Sequence, residues 1–443
     1  METPIADFVQ GYAASDVVRL HMPGHKGRAF LGCESMDITE VRGADALYEA
    51  EGIIARSERN AAALFGTAGT FYSTEGSSQC IRAMLYLVTT ARRPGMSRTI
   101  VAARNVHRAF VYAAALLDVE VVWLWPEASA SLCSCAVTAA ALEEALAALD
   151  APPAAVYVTS PDYLGAMAEL PALAEVCHRH GTVLAVDDAH GAYLHFLPQP
   201  LHPLDLGADI CCDSAHKTLP VLTGGAYLQI GKKAPAVWLE QAKTALAMFG
   251  STSPSYLTLA SLDLCNRYLT EGYPAHLRET AARLEDVRRA LARAGWQVED
   301  SDPLRLTLRA AGKGRELADR LRRNGVECEY ADRDLLVLMA TPENAPEELF
   351  ALPARLGAPF GEPGASGPLP LARGEQVCSI RQALFAPREK IPAAEALGRI
   401  CGAPTVGCPP AIPIAVSGER IGPAAMELFR YYGVDTVEVL KER

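Results

Sequence analysis

Apolar side chains at Ile53, Ile54, Ala61, Leu64 and Phe65, with Ser57 and Asn60 on the same face, follow helical spacing over 53 to 65. This predicts a helix that ends near Gly66. Phe71-Tyr72-Ser73 reads as a short strand, Gly76-Ser77-Ser78 as a turn, and Ile81, Met84, Leu85 and Val88 as one face of the next helix. The alternation continues. Thr99-Ile100-Val101-Ala102 predicts a strand with Asn105-Val106-His107 as its exit loop, residues 108 to 117 a helix, and Glu120 to Leu124 another strand. Ala155 to Thr159, a helix over about 169 to 179, Val183 to Val186 and the run Ala208-Asp209-Ile210-Cys211-Cys212 repeat the unit. Strands separated by helices predict an α/β fold, a mostly parallel sheet with helices on both faces.

Open α/β sheets bind ligands beyond the carboxyl ends of their strands, and polar residues gather there in this chain. His107 follows one predicted strand, Ser160-Pro161 a second, Asp187-Asp188-Ala189-His190 a third, and Lys217 a fourth. Lys217 lies in Asp213-Ser214-Ala215-His216-Lys217-Thr218-Leu219-Pro220, on a predicted loop just past its strand. An amine flanked there by hydroxyls and an imidazole has the partners for Schiff-base chemistry and proton transfer. Gly76-Ser77-Ser78 at a helix N-terminus makes an anion site, because unpaired backbone N–H groups, two hydroxyls and the helix dipole converge.

With 443 residues, half of them hydrophobic, the chain can bury a large core over two or three domains. Its net charge of −11, without a basic stripe, excludes nucleic acid as a partner. No apolar run approaches the roughly 18 residues that span a bilayer, and the N-terminus lacks a charged-then-apolar signal pattern, so a cytoplasmic location without a membrane partner is expected. Among the 12 cysteines, Cys133-Ser134-Cys135 and Cys211-Cys212 have no matching Cys or His pair to complete four ligands, and no metal site is expected.

Composition also marks boundaries. Residues 1 to 50 form an N-terminal arm with two polar stretches. One is the turn-rich His21-Met22-Pro23-Gly24-His25-Lys26-Gly27, and the other runs from Asp37-Ile38-Thr39-Glu40 to Gly43-Ala44-Asp45. A large domain is expected over 51 to 260. Helical patterns around 258 to 294 and strands near 304 to 308 and 335 to 339 then predict a smaller α/β domain over 261 to 356. Gly357 to Pro370, rich in Gly and Pro, reads as a linker to a C-terminal module over 371 to 443.

Taken in order, the motifs resemble those of the ornithine/lysine/arginine decarboxylases, pyridoxal-phosphate enzymes of fold type I, in a short form. The matching stretches are His21-Met-Pro-Gly-His-Lys26, Asp37-x-Thr-Glu40, Gly76-Ser77-Ser78, Arg104-Asn105-x-His107, Thr159-Ser160-Pro161, Asp187-x-Ala189-His190-Gly191, Ser214-x-His216-Lys217-Thr-Leu-Pro220, Ser251-Thr252-Ser-Pro-Ser255-Tyr256 and Gly398-Arg399-Ile400. The resemblance implies an aspartate-aminotransferase-like fold and pyridoxal 5'-phosphate as cofactor. It implies that Lys217 carries the cofactor as a Schiff base, that Asp187 pairs with the pyridine nitrogen, and that His107 stacks on the ring. Ser77, Ser78, Ser214 and His216 match phosphate-side and lysine-neighbour contacts, and Ala189 the residue beneath the ring. Gly76, Ser160 and His190 belong to the same cofactor set. Thr252 lies in a stretch that resembles the segment that, in fold-type I dimers, helps bind the phosphate of the neighbouring subunit, and the resemblance implies a homodimer or higher homo-oligomer.

The implied activity is decarboxylation of a small amino-acid substrate, a basic one (arginine, lysine or ornithine), to a polyamine-pathway amine, with His216 or Lys217 returning the proton. The C-terminal module departs from the family: Ala403 stands where relatives carry an acid, and Cys408-Pro409-Pro410-Ala411 where they carry Tyr-Pro-Pro-Gly. Tyr193 and Glu75 depart as well. Glu40, Asp45 and Glu75 are candidates to replace the missing acid. Two alternatives share the motif set. One is another reaction on the same cofactor, an aminotransferase or lyase, for which neither Arg381 nor Arg399 is assignable as a carboxylate clamp from sequence. The other is a non-catalytic relative that regulates a decarboxylase.

Overall fold

The computed structural model describes residues 1–127, 131–310, 312–360, 369–407 and 412–442. Residues 361–368 of the expected linker and the departure at Cys408 to Ala411 lie outside the described residues. Seven strands carry the chemistry: β1 (Gly69–Ser73), β2 (Ile100–Ala103), β3 (Val121–Leu124), β4 (Ala155–Thr159), β5 (Leu184–Asp187), β6 (Ile210–Asp213) and β7 (Ala226–Ile230). The chain divides into two compact units, Met1–Pro94 with Val183–Ala275, and Gly95–Thr182 with His276–Arg443.

In the first unit the strand order is β1-β7-β6-β5. β5 and β6 are parallel, whereas β7 runs antiparallel to both β6 and β1. All four residues of β5 and of β6 are buried, as expected of strands covered on both faces. Helix Ile53–Phe65 ends at Gly66, whose φ of 62° is the left-handed C-cap that sequence spacing anticipates. The arm begins with a helix, Pro4–Ala13, ahead of its two polar stretches. Its first free N–H groups, those of Ile5 and Ala6, donate to Asp263 Oδ2 at 2.8 and 3.0 Å, a contact 258 residues away for Ile5 that no local pattern encodes.

The second unit holds β4-β2-β3, all parallel. It also holds an antiparallel sheet of β8 (Arg305–Arg309), β9 (Tyr330–Ala331) and β10 (Leu335–Met339), ordered β8-β10-β9. Side chains of β10 alternate between two cores. Leu336 and Leu338 join Leu306, Leu308, Leu317 and Leu356, while Leu335 and Val337 join Ile414, Leu428, Phe429 and Val439 from the C-terminal region. That region contributes β11 (Arg388–Pro392), β12 (Thr405–Val406), β13 (Ala415–Val416) and β14 (Thr436–Leu440), paired as β11–β14 and β12–β13. Its apolar side is therefore built into the unit's core. No described helix is long and apolar enough to cross a membrane.

Candidate active site

Strand register in the first unit brings the predicted chemistry to one edge. Ser73 pairs with Ala226, Asp213 with Tyr227, and Asp187 with Cys212, so the carboxyl ends of β1, β5 and β6 and the start of β7 are neighbours. The Gly224-Gly225 turn before β7 joins two of the loops there. Gly224 O accepts from Gly76 N at 2.7 Å and Gly225 O from His216 N at 3.1 Å. Glycine is required at 224, where φ is 97° and a Cβ would stand 2.6 Å from the Thr74 carbonyl. It is required again at 76, the N-cap of helix Ser77–Thr90, where φ is 74°.

That helix opens on the predicted anion site. Ser214 Oγ donates to Ser77 Oγ at 2.7 Å, joining hydroxyls from the ends of two strands above a helix N-terminus whose first N–H groups have no intrahelical acceptor. Ser78 is half-buried beside them. Lys217 lies on a one-turn helix, Ala215–Thr218, rather than the expected loop. Leu219 N donates to Ala215 O at 2.8 Å, so the chain winds once before Pro220. The turn places Lys217 Nζ 3.1 Å from Nε2 of buried His190. His216 Nδ1 lies 3.0 Å from the Gly225 carbonyl, and desolvation lowers the imidazole's pKa, opposed by that hydrogen bond and aided by the Lys217 charge.

Asp187 is buried at the end of β5. Its Oδ1 accepts from Ala189 N at 3.2 Å and from the Cys212 thiol at 3.8 Å. Burial, then the Asp187 charge, raises the Cys212 thiol well above its ordinary range, so it stays a neutral donor. Cys212 has no sequence signal beyond its place on β6. Ala189 is buried two residues on.

Thr252 is exposed, and its neighbour Ser251 donates its backbone N–H to Glu75 Oε1. His107 and Ser160 belong to the second unit, at the carboxyl ends of the adjacent parallel strands β2 and β4. His107 caps helix Arg108–Leu117, its Nδ1 accepting from Ala109 N at 3.2 Å. Ser160 is fully buried and its Oγ accepts from Ala168 N at 3.1 Å.

Beneath the Lys217 turn, His202, Cys211 and Asp213 bring potential metal-ligand atoms within 4.8 Å of one another, all buried. Cys211 and Asp213 share one face of β6 by the period of two. His202 Nδ1 accepts the Leu204 N–H at 3.4 Å. Nε2 faces Asp213 Oδ1 at 3.3 Å and Asp188 Oδ2 at 3.5 Å. With Gln229 Nε2 3.4 Å from His202 Nε2 and donating to Asp213 Oδ2, these side chains form a buried polar network at the end of β6.

Residues 3–311 match the family described as "Orn/Lys/Arg decarboxylase, major domain". The arginine decarboxylase of Bacillus subtilis is 30% identical, over 95% of this chain and 91% of its own length. That of Halalkalibacterium halodurans is 29% identical with the same two coverages, 95% and 91%. Among solved structures, the Francisella novicida lysine decarboxylase superposes with a TM-score of 0.82 at 16% identity, over 99% of this chain and 81% of that one, a likeness of fold. With a family match across most of its length and relatives matched nearly end to end, the chain belongs to the Orn/Lys/Arg decarboxylase family and is a pyridoxal-phosphate-dependent amino-acid decarboxylase.

Proposed function

We propose that this protein decarboxylates a basic amino acid, with arginine first among arginine, lysine and ornithine, and that it holds pyridoxal 5'-phosphate on Lys217. The observation that carries the reading is the joint placement of Lys217, buried His190, buried Asp187 and the Ser77–Ser214 hydroxyl pair at one sheet edge. The donor set fits the cofactor: an amine for its aldehyde, a carboxylate for its pyridine nitrogen, and hydroxyls with helix N–H groups for its phosphate. Among the described residues, the buried Thr218 hydroxyl, next to Lys217, has no hydrogen-bond partner. The bound cofactor supplies an electron sink for the carbanion left by CO2 loss. The protein's own residues do the rest. Ser77, Ser78 and Ser214 bind the phosphate, Asp187 keeps the ring nitrogen protonated, and Lys217 as its ammonium, or His216 once it has taken up a proton as imidazolium, returns a proton.

The names of the curated relatives support arginine. A distal cation leaving water needs a carboxylate, since an unpaired buried charge costs several kcal/mol. The three candidate acids differ in their commitments. Asp45 accepts backbone N–H groups at the start of helix Ile53–Phe65, from Gly52 at 2.8 Å and Ile54 at 3.0 Å, and Glu75 accepts from Ser251 N. Glu40 is exposed and, among the described residues, accepts from the neighbouring Thr39 hydroxyl, which makes it the acid offered to the substrate. An aminotransferase reading loses its candidate clamps. Arg381 donates to the Ala115 and Leu116 carbonyls at 2.8 and 3.2 Å, and Arg399 pairs with Glu389 at 2.6 Å and Glu442 at 3.1 Å. We further propose a homodimer, in which the exposed Thr252 segment serves the partner's phosphate site.

The test is borohydride reduction of the protein with pyridoxal phosphate, followed by peptide mass analysis and CO2 release from arginine, lysine, ornithine and uncharged analogues of similar length. A label on Lys217 and CO2 from basic substrates are expected. An unlabelled, colourless protein overturns the cofactor assignment. Equal CO2 from uncharged analogues overturns the substrate class alone.

A further inference from the structure

The C-terminal region binds the start of the loop that carries His107 and the far end of the helix that follows it. Arg104, three residues before His107 at the end of β2, is fully buried, and both of its terminal nitrogens pair with Glu419. Nη1 meets Oε1 and Nη2 meets Oε2, each at 2.7 Å, across 315 residues of sequence. The guanidinium lies 4.7 Å from the Trp123 ring and 4.5 Å from the Trp125 ring. Two parallel hydrogen bonds fix its plane, and the two indoles fix its position. Glu419 is itself held, its Oε2 accepting from Val416 N at 2.9 Å. After the loop, helix Arg108–Leu117 ends with its Ala115 and Leu116 carbonyls bound by Arg381, a cation at the negative end of the helix dipole.

We propose that Glu419, acting through Arg104, is a positioning residue for His107, so that the C-terminal region sets how the imidazole meets the cofactor. The proposal rests on the reading that His107 contacts the cofactor. A surface pair would be too weak and too mobile for this role. This one is desolvated, bidentate and only three residues from the imidazole, so losing Glu419 leaves a buried guanidinium uncompensated and releases the strand end.

The experiment is a double-mutant cycle read as cofactor affinity. Stripped wild-type protein, Glu419→Gln, His107→Ala and the double variant are each titrated with pyridoxal phosphate, following absorbance and the fluorescence of the four tryptophans. Thermal melts are recorded in parallel. Glu419→Gln is expected to weaken cofactor binding roughly tenfold or more, as small misplacements in binding sites do, and to add nothing in the His107→Ala background. If Glu419→Gln does not fold, Arg104→Lys, which keeps the charge and loses the second hydrogen bond, is carried through the same cycle. Additive losses, or a lowered melting temperature with unchanged cofactor affinity, overturn the proposal and leave the His107 reading intact. A His107→Ala protein that binds the cofactor like wild type overturns the His107 reading itself, and the proposal with it.

Discussion

At the buried end of β5, Asp187 Oδ1 accepts from the Ala189 N–H and the Cys212 thiol. A carboxylate so placed holds a proton on a facing pyridine nitrogen by charge, which an amide does not do. Asn at 187 can still accept from Ala189, so Asp187→Asn is expected to keep the fold and much of the cofactor while turnover falls on the order of 100-fold, the scale of one lost electrostatic contact in a reacting site. Steady-state kinetics with cofactor in excess check this. Turnover within a few fold of wild type would remove Asp187 from its assigned role. Lys217, His190 and Asp187 were legible in sequence because each follows an apolar run whose end marks a sheet edge. The Cys212 contact was not, since it depends on which residue β6 sets beside Asp187.

At the scale of elements, helix Ile53–Phe65 has glycine at its N-cap and no capping side chain of its own there. Asp45 supplies the acceptor from a loop: its carboxylate takes the N–H groups of Glu51, Gly52 and Ile54 at 3.1, 2.8 and 3.0 Å. Its φ of 68° is a conformation Asp tolerates better than most residues. Replacing a helix cap costs about 0.5–2 kcal/mol, and this one also places a negative charge at the positive end of the dipole. Asp45→Ala is therefore expected to lose about 1–2 kcal/mol in urea unfolding while KM for basic substrates stays within a few fold. Unchanged stability with a large rise in KM would return Asp45 to the substrate site. Sequence placed this acid in a polar loop. It could not show which N–H groups the loop folds onto.

Across the whole molecule, the arm presents apolar side chains outward: Phe30 and Leu31 are 82% and 90% exposed. Their segment is held in shape, because Glu34 accepts the N–H groups of Leu31, Phe30 and Gly32, with Arg19 donating to Ser35 O at 2.7 Å. The Leu31 N–H first, with the other backbone donors, draws the Glu34 carboxyl down to about 2. Large apolar side chains held rigid and exposed mark association surfaces. The proposed homodimer accounts for them, and Phe30→Glu with Leu31→Glu is expected to convert dimer to monomer in light scattering and to lower activity. A double variant that remains dimeric and active would place the dimer contact elsewhere.

What the sequence determined by itself was the alternation of strands and helices, the edge where the chemistry gathers and the family, because periodicity, caps and short motifs are local and are written within one or two dozen residues. Even there, Lys217 moved from a loop to a helical turn, a difference decided by one hydrogen bond between Leu219 and Ala215. Tertiary structure alone decided which polar groups face each other: that Asp45 is a cap, that Arg381 and Arg399 are bound to backbone and acids, that His202 meets Asp213, and that Glu419 holds Arg104 from 315 residues away. The physical reason is that a charge's partner is chosen by where burial brings it. Ionic pairing between distant segments leaves no period in the chain to be read.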